Sequence, residues 1–273
     1  TFSSINQGVP DLAAGNLLGS NMFNMVMLAI LDLAAQQQRI LRAAALKHSL
    51  SGSLATLMIV LTVFFILADI DITIGWVGLD SLLLIGVYIL AIYQIQKESS
   101  PQSSGEFEIP AGYPSLRHGL IGFLITALVL VIVTPLMVQS SAAIAEITGL
   151  GTSFVGTTLV AVVTSLPELV TTLAAIRLGA NDMAIANLFG SNMFNMFALG
   201  LTDFFYTPGR FLGVIDPSFL LVGMLGLLMT VMALVGNLAR IERRFLFLEL
   251  DALALLLVYG GGLYLLYRQG IAP

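Results

Sequence analysis

The chain has no cysteine and only two histidines, His48 and His118, among 273 residues. Without cysteine there is no disulfide and no thiolate metal site. Both histidines lie in polar connections, so a zinc or copper centre built on imidazole is excluded as well. Charge is scarce: Asp, Glu, Lys and Arg make up 10% of the chain, against roughly 25% in soluble domains, and 58% of residues are hydrophobic. With a mean hydropathy of +0.96, the composition is that of an integral membrane protein. His-Glu-x-x-His, a phosphate-binding glycine loop and a Ser/Lys dyad are all missing, which argues against an enzyme. No basic, aromatic-interleaved stretch suggests nucleic acid. The first residue is Thr1, with no charged n-region before the first apolar run, and an incomplete N-terminus is expected.

What is present is apolar length. Eight runs approach the ~20 residues a helix needs to cross a bilayer. They lie near 9–33, 51–69, 74–95, 117–138, 151–178, 181–206, 214–236 and 245–267. A transmembrane barrel would instead show alternating segments of about 10 residues. With the connection after the first run placed in the cytoplasm, Arg39, Arg42, Lys47, Lys97, Arg117, Arg177, Arg240, Arg243 and Arg244 fall inside and Arg210 and Arg268 outside. This positive-inside bias puts the C-terminus outside.

Polar residues interrupt the apolar runs in two places that match. Residues 8–28 and 179–199 are identical at 13 of 21 positions with a constant offset of 171, and both contain Gly-Ser-Asn-Met-Phe-Asn. The charge bias makes the two copies cross in opposite senses, the inverted-topology arrangement common among secondary transporters with a midplane site. Segments 1–95 and 117–273 are then the two repeats, joined by a cytoplasmic linker over 96–116. At the same offset the first-repeat counterpart of Glu168 falls before Thr1.

Polar groups at membrane depth are expensive and point to function. Thr164-Ser165-Leu166-Pro167-Glu168 puts two hydroxyls and a carboxylate on one helical face. Pro167 lacks an N–H and crowds the Val163 carbonyl, so a kink or unwound turn is expected there. Freed carbonyls near Ala161–Val163 can be tolerated only in a protein-lined or ion-lined space. In the next run Asn187, Ser191 and Asn195 form a stripe, repeated as Asn16, Ser20 and Asn24. An all-oxygen set with few carboxylates suits hard cations such as Ca²⁺ and Na⁺. The plainer readings are a carboxylate paired across helices at Glu168, small-residue packing at Ser20 and Ser191, and interhelical hydrogen bonding at the asparagines. Asn21 and Asn192 lie about 100° from the stripe and are expected to bond between helices. Asp11 and Asp182 are expected in first helical turns, and Asp32 and Asp203 in the interface.

Thr-Ser-Leu-Pro-Glu at 164–168 followed by Gly-Ser-Asn-Met-Phe-Asn at 190–195 resembles an α-repeat of the cation/Ca²⁺ exchanger superfamily, the prokaryotic sodium/calcium exchangers in particular. The resemblance rests on residues 1–33 and 151–206 by motif and extends over the rest by span order. It implies an all-α integral membrane protein with two inverted-topology α-repeats, whose eight spans here resemble helices 3–10 of a ten-helix exchanger. It implies a cation site formed by Glu168, Thr164, Ser165, the carbonyl of Ala161, Ser191, Asn195, Ser20 and Asn24. Some relatives carry Asp where Asn24 or Asn195 stands, so the site here is less negative. The implied function is Ca²⁺ export coupled to Na⁺ or H⁺ entry across a prokaryotic inner membrane, with the bilayer and these ions as partners and no cofactor. A passive cation channel, or a transport-incompetent fragment, are the alternative readings.

Overall fold

A computed structural model describes residues 1–34, 48–98, 116–239, 244–245 and 248–268. The basic connection 36–47, most of the 96–116 linker, and Arg240 and Arg243 lie outside them. Among the described residues five helices are long and apolar enough to span a bilayer: Pro10–Leu31, Ser49–Ala68, Leu79–Glu98, Leu116–Thr148 and Gly151–Arg177. The other three expected spans fall on further helices, so the chain is mostly helical, as the apolar runs predict.

In order, α1 (Phe2–Asn6) precedes α2 (Pro10–Ala34), α3 (Ser49–Ala68), α4 (Leu79–Glu98) and α5 (Leu116–Thr148). The fifth run is broken into α6 (Gly151–Val155), a π-type turn at Gly156–Val160, α7 (Ala161–Thr164) and α8 (Leu166–Arg177). Then come α9 (Asn181–Thr202), α10 (Phe211–Val214), α11 (Phe219–Ala239) and α12 (Leu250–Arg268). Two small antiparallel hairpins shift the expected boundaries. β1 (Thr73–Ile74) pairs with β2 (Val77–Gly78), so α4 starts later than 74. β3 (Arg244–Phe245) pairs with β4 (Leu248–Glu249), so the last helix begins at Leu250. α5 runs to Thr148 through Pro135, beyond the expected end at 138.

The helix at the centre is α2. Some 83% of its apolar window is buried, against 6% for α5. It packs on α9, α11 and α12 and on the broken segment α6–α7. Its Leu12, Leu18, Met22, Met25 and Met27 are fully or almost fully enclosed. The first-half helices α2, α3 and α4 interleave with α9 and α11.

Close approach between α2 and the π turn depends on glycine. A Cβ at Gly15 would lie 2.9 Å from Thr157 N and 3.0 Å from Ser153 O, both backbone atoms that cannot swing aside. Gly19 faces the Thr157 carbonyl in the same way. Gly15→Ala is therefore expected to force the segments apart and cost about 1–3 kcal/mol. Gly86→Ala in α4, with nothing within 4 Å, is the control and should be neutral or mildly stabilising. Thermal unfolding of the two purified variants checks this; equal melting temperatures would show that the contact is slack.

Several packing contacts come in pairs related by the 171-residue offset. Gly52 in α3 faces Leu234 and Phe189, while Gly223 in α11 faces Val63 and Leu18. Adding 171 to Gly52, Val63 and Leu18 gives Gly223, Leu234 and Phe189. The turns before the two motif helices also match: Gly8 has φ +71° and Gly179 has φ +73°, a region that only glycine enters without strain.

Candidate functional site

The fifth run is interrupted where the proline predicts. Pro167 cannot donate a backbone hydrogen bond, and Ser165 leaves helical geometry with φ −91° and ψ 3°. The break falls at Ser165, so Pro167 and Glu168 sit in the first turn of α8. A carboxylate there meets the positive end of the helix dipole and unpaired N–H groups.

The carbonyl of Ala161 is not left bare by the break. It accepts the Ser165 N–H at 3.1 Å, and the hydroxyls of Thr164 at 3.3 Å and Ser20 at 3.5 Å. Thr164 Oγ1 also lies 2.9 Å from the Val160 carbonyl and 2.6 Å from Asn16 Oδ1 on α2, so that with Ala161 three acceptors share its one hydroxyl proton. Ser20, Ala161, Thr164 and Asn16 thus form one cluster where α2 crosses α7. Ser165 is buried beside it.

The polar stripe on α9 meets two different neighbours. Asn187 donates to Thr172 at 2.9 Å and to Thr171 at 3.2 Å, tying α9 to α8. One turn on, Ser191 donates to Glu168 Oε1 at 3.3 Å. The other carboxylate oxygen, Oε2, is buried with no hydrogen-bond partner. No ion pair to Glu168 occurs among the described residues; its cross-helix partner there is the Ser191 hydroxyl.

Further along, α9 turns its stripe to α2. Asn195 Nδ2 donates to Asn21 Oδ1 at 2.9 Å, and Asn24 Nδ2 donates to Asn192 Oδ1 at 2.8 Å. The pairs are reciprocal: the last asparagine of each Ser-Asn-Met-Phe-Asn motif donates to the first of the other. Asn24 Oδ1 is a second buried acceptor without a partner. Asn21 and Asn192 bond between helices, as their angular position predicts. Asn24 and Asn195 join the same ladder through their amide nitrogens, which leaves their oxygens to be accounted for separately. Of the eight candidate site residues, Ser20, Ala161 and Thr164 are joined directly, as are Glu168 and Ser191; Asn24 and Asn195 belong to the asparagine ladder.

A second polar group escaped the reading of the sequence. Arg210, counted there as an outer positive charge, is buried and bonds Asp80 at 2.6 Å and also Asp69. Asp80 is fully buried and also accepts the Ser81 N–H at 2.8 Å. Burial works against the Arg210 charge, but the hydrogen bonds it donates to Asp80 and Asp69, with the attraction of both carboxylates, outweigh it and hold the guanidinium above its ordinary pKa. Asp203 is fully enclosed by the protein and accepts the N–H groups of Gly78 at 2.6 Å and Phe211 at 2.5 Å. Trp76 Nε1 donates to the Phe204 carbonyl at 3.3 Å, closing the same clasp. The signal available in the sequence was the recurrence of Asp in the turns at 69–71 and 80 against a single Arg. Asp11 and Asp182 occupy first helical turns as expected, and the side chain of Asp32 lies outside the described residues.

Among the described residues no three of His, Cys, Asp and Glu gather as a metal cluster. Along the broken helix and α2 lie a hydroxyl–carbonyl cluster, the Glu168–Ser191 pair and the asparagine ladder, donors that are all oxygen or amide, a chemistry that suits a hard cation better than a tightly held transition metal.

The family profile for sodium/calcium exchanger proteins matches residues 1–95 and 118–268. CaxA of Alkalimonas amylolytica is 28% identical over 278 residues, covering 96% of this chain and 81% of its own length. The inner membrane protein YrbG of Escherichia coli K12 is 30% identical over 76% of this chain, which spans 62% of YrbG. The sodium/calcium exchanger MaX1 of Methanosarcina acetivorans is 50% identical over 70 residues, a quarter of this chain and 20% of MaX1. No solved structure matches the chain.

Proposed function

Because this chain belongs to the sodium/calcium exchanger protein family, we propose that it is a secondary active antiporter that exports Ca²⁺ in exchange for Na⁺ or H⁺. The observation that carries this reading is the reciprocal contact between the two Ser-Asn-Met-Phe-Asn motifs beside a broken helix that carries Glu168. Contacts in which residue a of one copy meets b of the other, and b meets a, are what a two-fold axis produces. The matched Gly52 and Gly223 environments support the same axis. Repeats related in this way, with discontinuous helices at their interface, are the architecture from which alternating access is built.

The ion's ligands are Glu168, Thr164, Ser165, the Ala161 carbonyl, Ser191, Asn195, Ser20 and Asn24. Ca²⁺ takes ~6–8 oxygens. The hydroxyls of Ser20, Thr164 and Ser191 here satisfy oxygens of the same set. On ion entry they rotate their protons outward and turn lone pairs to the cation. Glu168 Oε2, a buried acceptor with no donor, is the oxygen a cation gains at least competition. Na⁺ and Ca²⁺ then compete for overlapping oxygens, and that competition couples the two fluxes. The protein is placed in a prokaryotic inner membrane, with its C-terminus outside.

Vesicles containing the purified chain test the reading. Ca²⁺ uptake should require an outward gradient of Na⁺ or of H⁺, and dissipating that gradient should stop it. Ca²⁺ flux indifferent to both gradients would make the protein a channel and overturn the proposal.

A further inference from the structure

The asparagine ladder is anchored at one end only, and the anchor is a residue outside the cation set. Thr230 on α11 donates its single hydroxyl proton to the Gly226 carbonyl at 2.8 Å. A backbone carbonyl only accepts, so the polarity of this bond cannot be reversed. With its proton committed, Thr230 Oγ1 can only accept, and it accepts Asn192 Nδ2 at 3.4 Å. Asn192 must then turn Oδ1 to Asn24, which donates Nδ2 at 2.8 Å. Asn24 is left with Oδ1 as its unpartnered end, and the whole side chain is fully buried. Amide orientation in proteins follows from such networks, and here each step follows from a carbonyl of fixed polarity.

The other arm has no such anchor. At the 171-residue offset the counterpart of Thr230 is Ile59, which is buried and apolar. Asn195 donates to Asn21 Oδ1, but Asn21 Nδ2 has no partner, so nothing at its far side dictates which way that pair of amides points. The near-identity of the motifs therefore conceals a difference between the halves.

We infer that Thr230, acting through Asn192, is a positioning residue that locks the carbonyl oxygen of Asn24 as a fixed acceptor for the transported cation, while Asn195 keeps an amide free to reverse. The inference rests on the exchange reading for the identity of the cation; the relay itself rests on hydrogen-bond polarity. Loss of the Thr230 acceptor lets Asn192 rotate, and Asn24 can then present N–H groups where it presented oxygen. An N–H donor repels a cation, so the effect falls on ion affinity.

The test compares Thr230→Val, which keeps the side-chain shape and removes the hydroxyl, with Thr230→Ser, which keeps the hydroxyl. In vesicles Thr230→Val should raise the Ca²⁺ KM roughly tenfold, the scale of one lost charge-assisted hydrogen bond or its equivalent, with kcat little changed. Thr230→Ser should restore the wild-type KM. Thr230→Ala removes the same acceptor and gives the same shift should the valine variant fail to fold. Unchanged KM in both hydroxyl-free variants overturns the relay, as does an equal rise in the serine variant, because the hydroxyl would then be irrelevant. A readout without Ca²⁺ separates this from failure of the exchange reading. The side-chain amide nitrogen resonances of Asn24 and Asn192 should both shift in Thr230→Val and stay in place in Thr230→Ser. An Asn24 amide that ignores Thr230→Val overturns the inference even if the protein transports no Ca²⁺.

Discussion

Glu168→Gln is expected to abolish gradient-driven Ca²⁺ uptake while leaving the protein folded. Glutamine has the same shape and keeps an oxygen for the Ser191 hydroxyl, which bonds Glu168 Oε1 at 3.3 Å. No basic side chain pairs with Glu168 among the described residues, so neutralising it strands no buried partner. The half-buried position and the first-turn placement on α8 also survive. The charge does not. Asn24 and Asn195 are neutral amides, so Glu168 is the one carboxylate among the eight candidate residues. A divalent cation surrounded only by neutral oxygens in a low-dielectric interior is poorly compensated. Uptake should fall by at least ~100-fold, equivalent to ~2.7 kcal/mol of lost binding, with an unchanged melting temperature. Glu168→Asp, which keeps the charge but withdraws it by one methylene, should fall between the two. Wild-type uptake by the glutamine variant would show that the carboxylate serves structure alone.

Arg210→Ala should do the opposite, destabilising the protein without touching the cation set. Arg210 holds Asp80, which has no exposed surface, and Asp69, and so ties the β1–β2 hairpin and the start of α4 to the segment between α9 and α10. Removing one partner of a buried ion pair leaves the other charge uncompensated, and typically costs about 3–5 kcal/mol. The diagnostic comparison is with Arg210→Ala/Asp80→Asn. Replacing the stranded charge by a neutral amide should recover a large part of the loss, since the penalty comes from the isolated carboxylate more than from the missing attraction. Chemical or thermal unfolding in detergent measures both variants. A double variant less stable than Arg210→Ala would mean that Asp80 is stabilised by the Ser81 N–H and its other neighbours without help from the arginine.

Much of the helix content was legible because hydrophobic length is a one-dimensional property. Runs of apolar residues long enough for a bilayer stand out in any window, and the helices at 10–34, 49–68 and 181–202 end within four residues of the expected positions. Boundaries failed where a polar turn folded back on itself. The residues of β1–β2 and β3–β4 are apolar enough to be read as helix starts, and only backbone pairing distinguishes them. Of the candidate site, the break at Ser165 and the interhelical role of Asn21 and Asn192 could be read from Pro167 and from angular position. The burial of Arg210 was not legible because its acidic neighbours Asp69, Asp71 and Asp80 lie 130 or more residues away in the chain.

The offset of 171, the apolar runs and the Pro-Glu break were determined by the sequence alone, because each is a property of neighbouring or repeated residues. Which helix occupies the centre was decided only by tertiary structure. Local polarity is densest at residues 164–168 and 187–195, yet α2, from the other copy, is the helix that the rest enclose. The direction of each asparagine amide was likewise decided in three dimensions. The two motifs carry the same residues, and the difference between them comes from what packs behind: the Thr230 hydroxyl on one side and the Ile59 hydrocarbon on the other. Hydrogen-bond polarity passes through contacts between helices, so identical motifs acquire different chemistry from neighbours that the repeat itself does not contain.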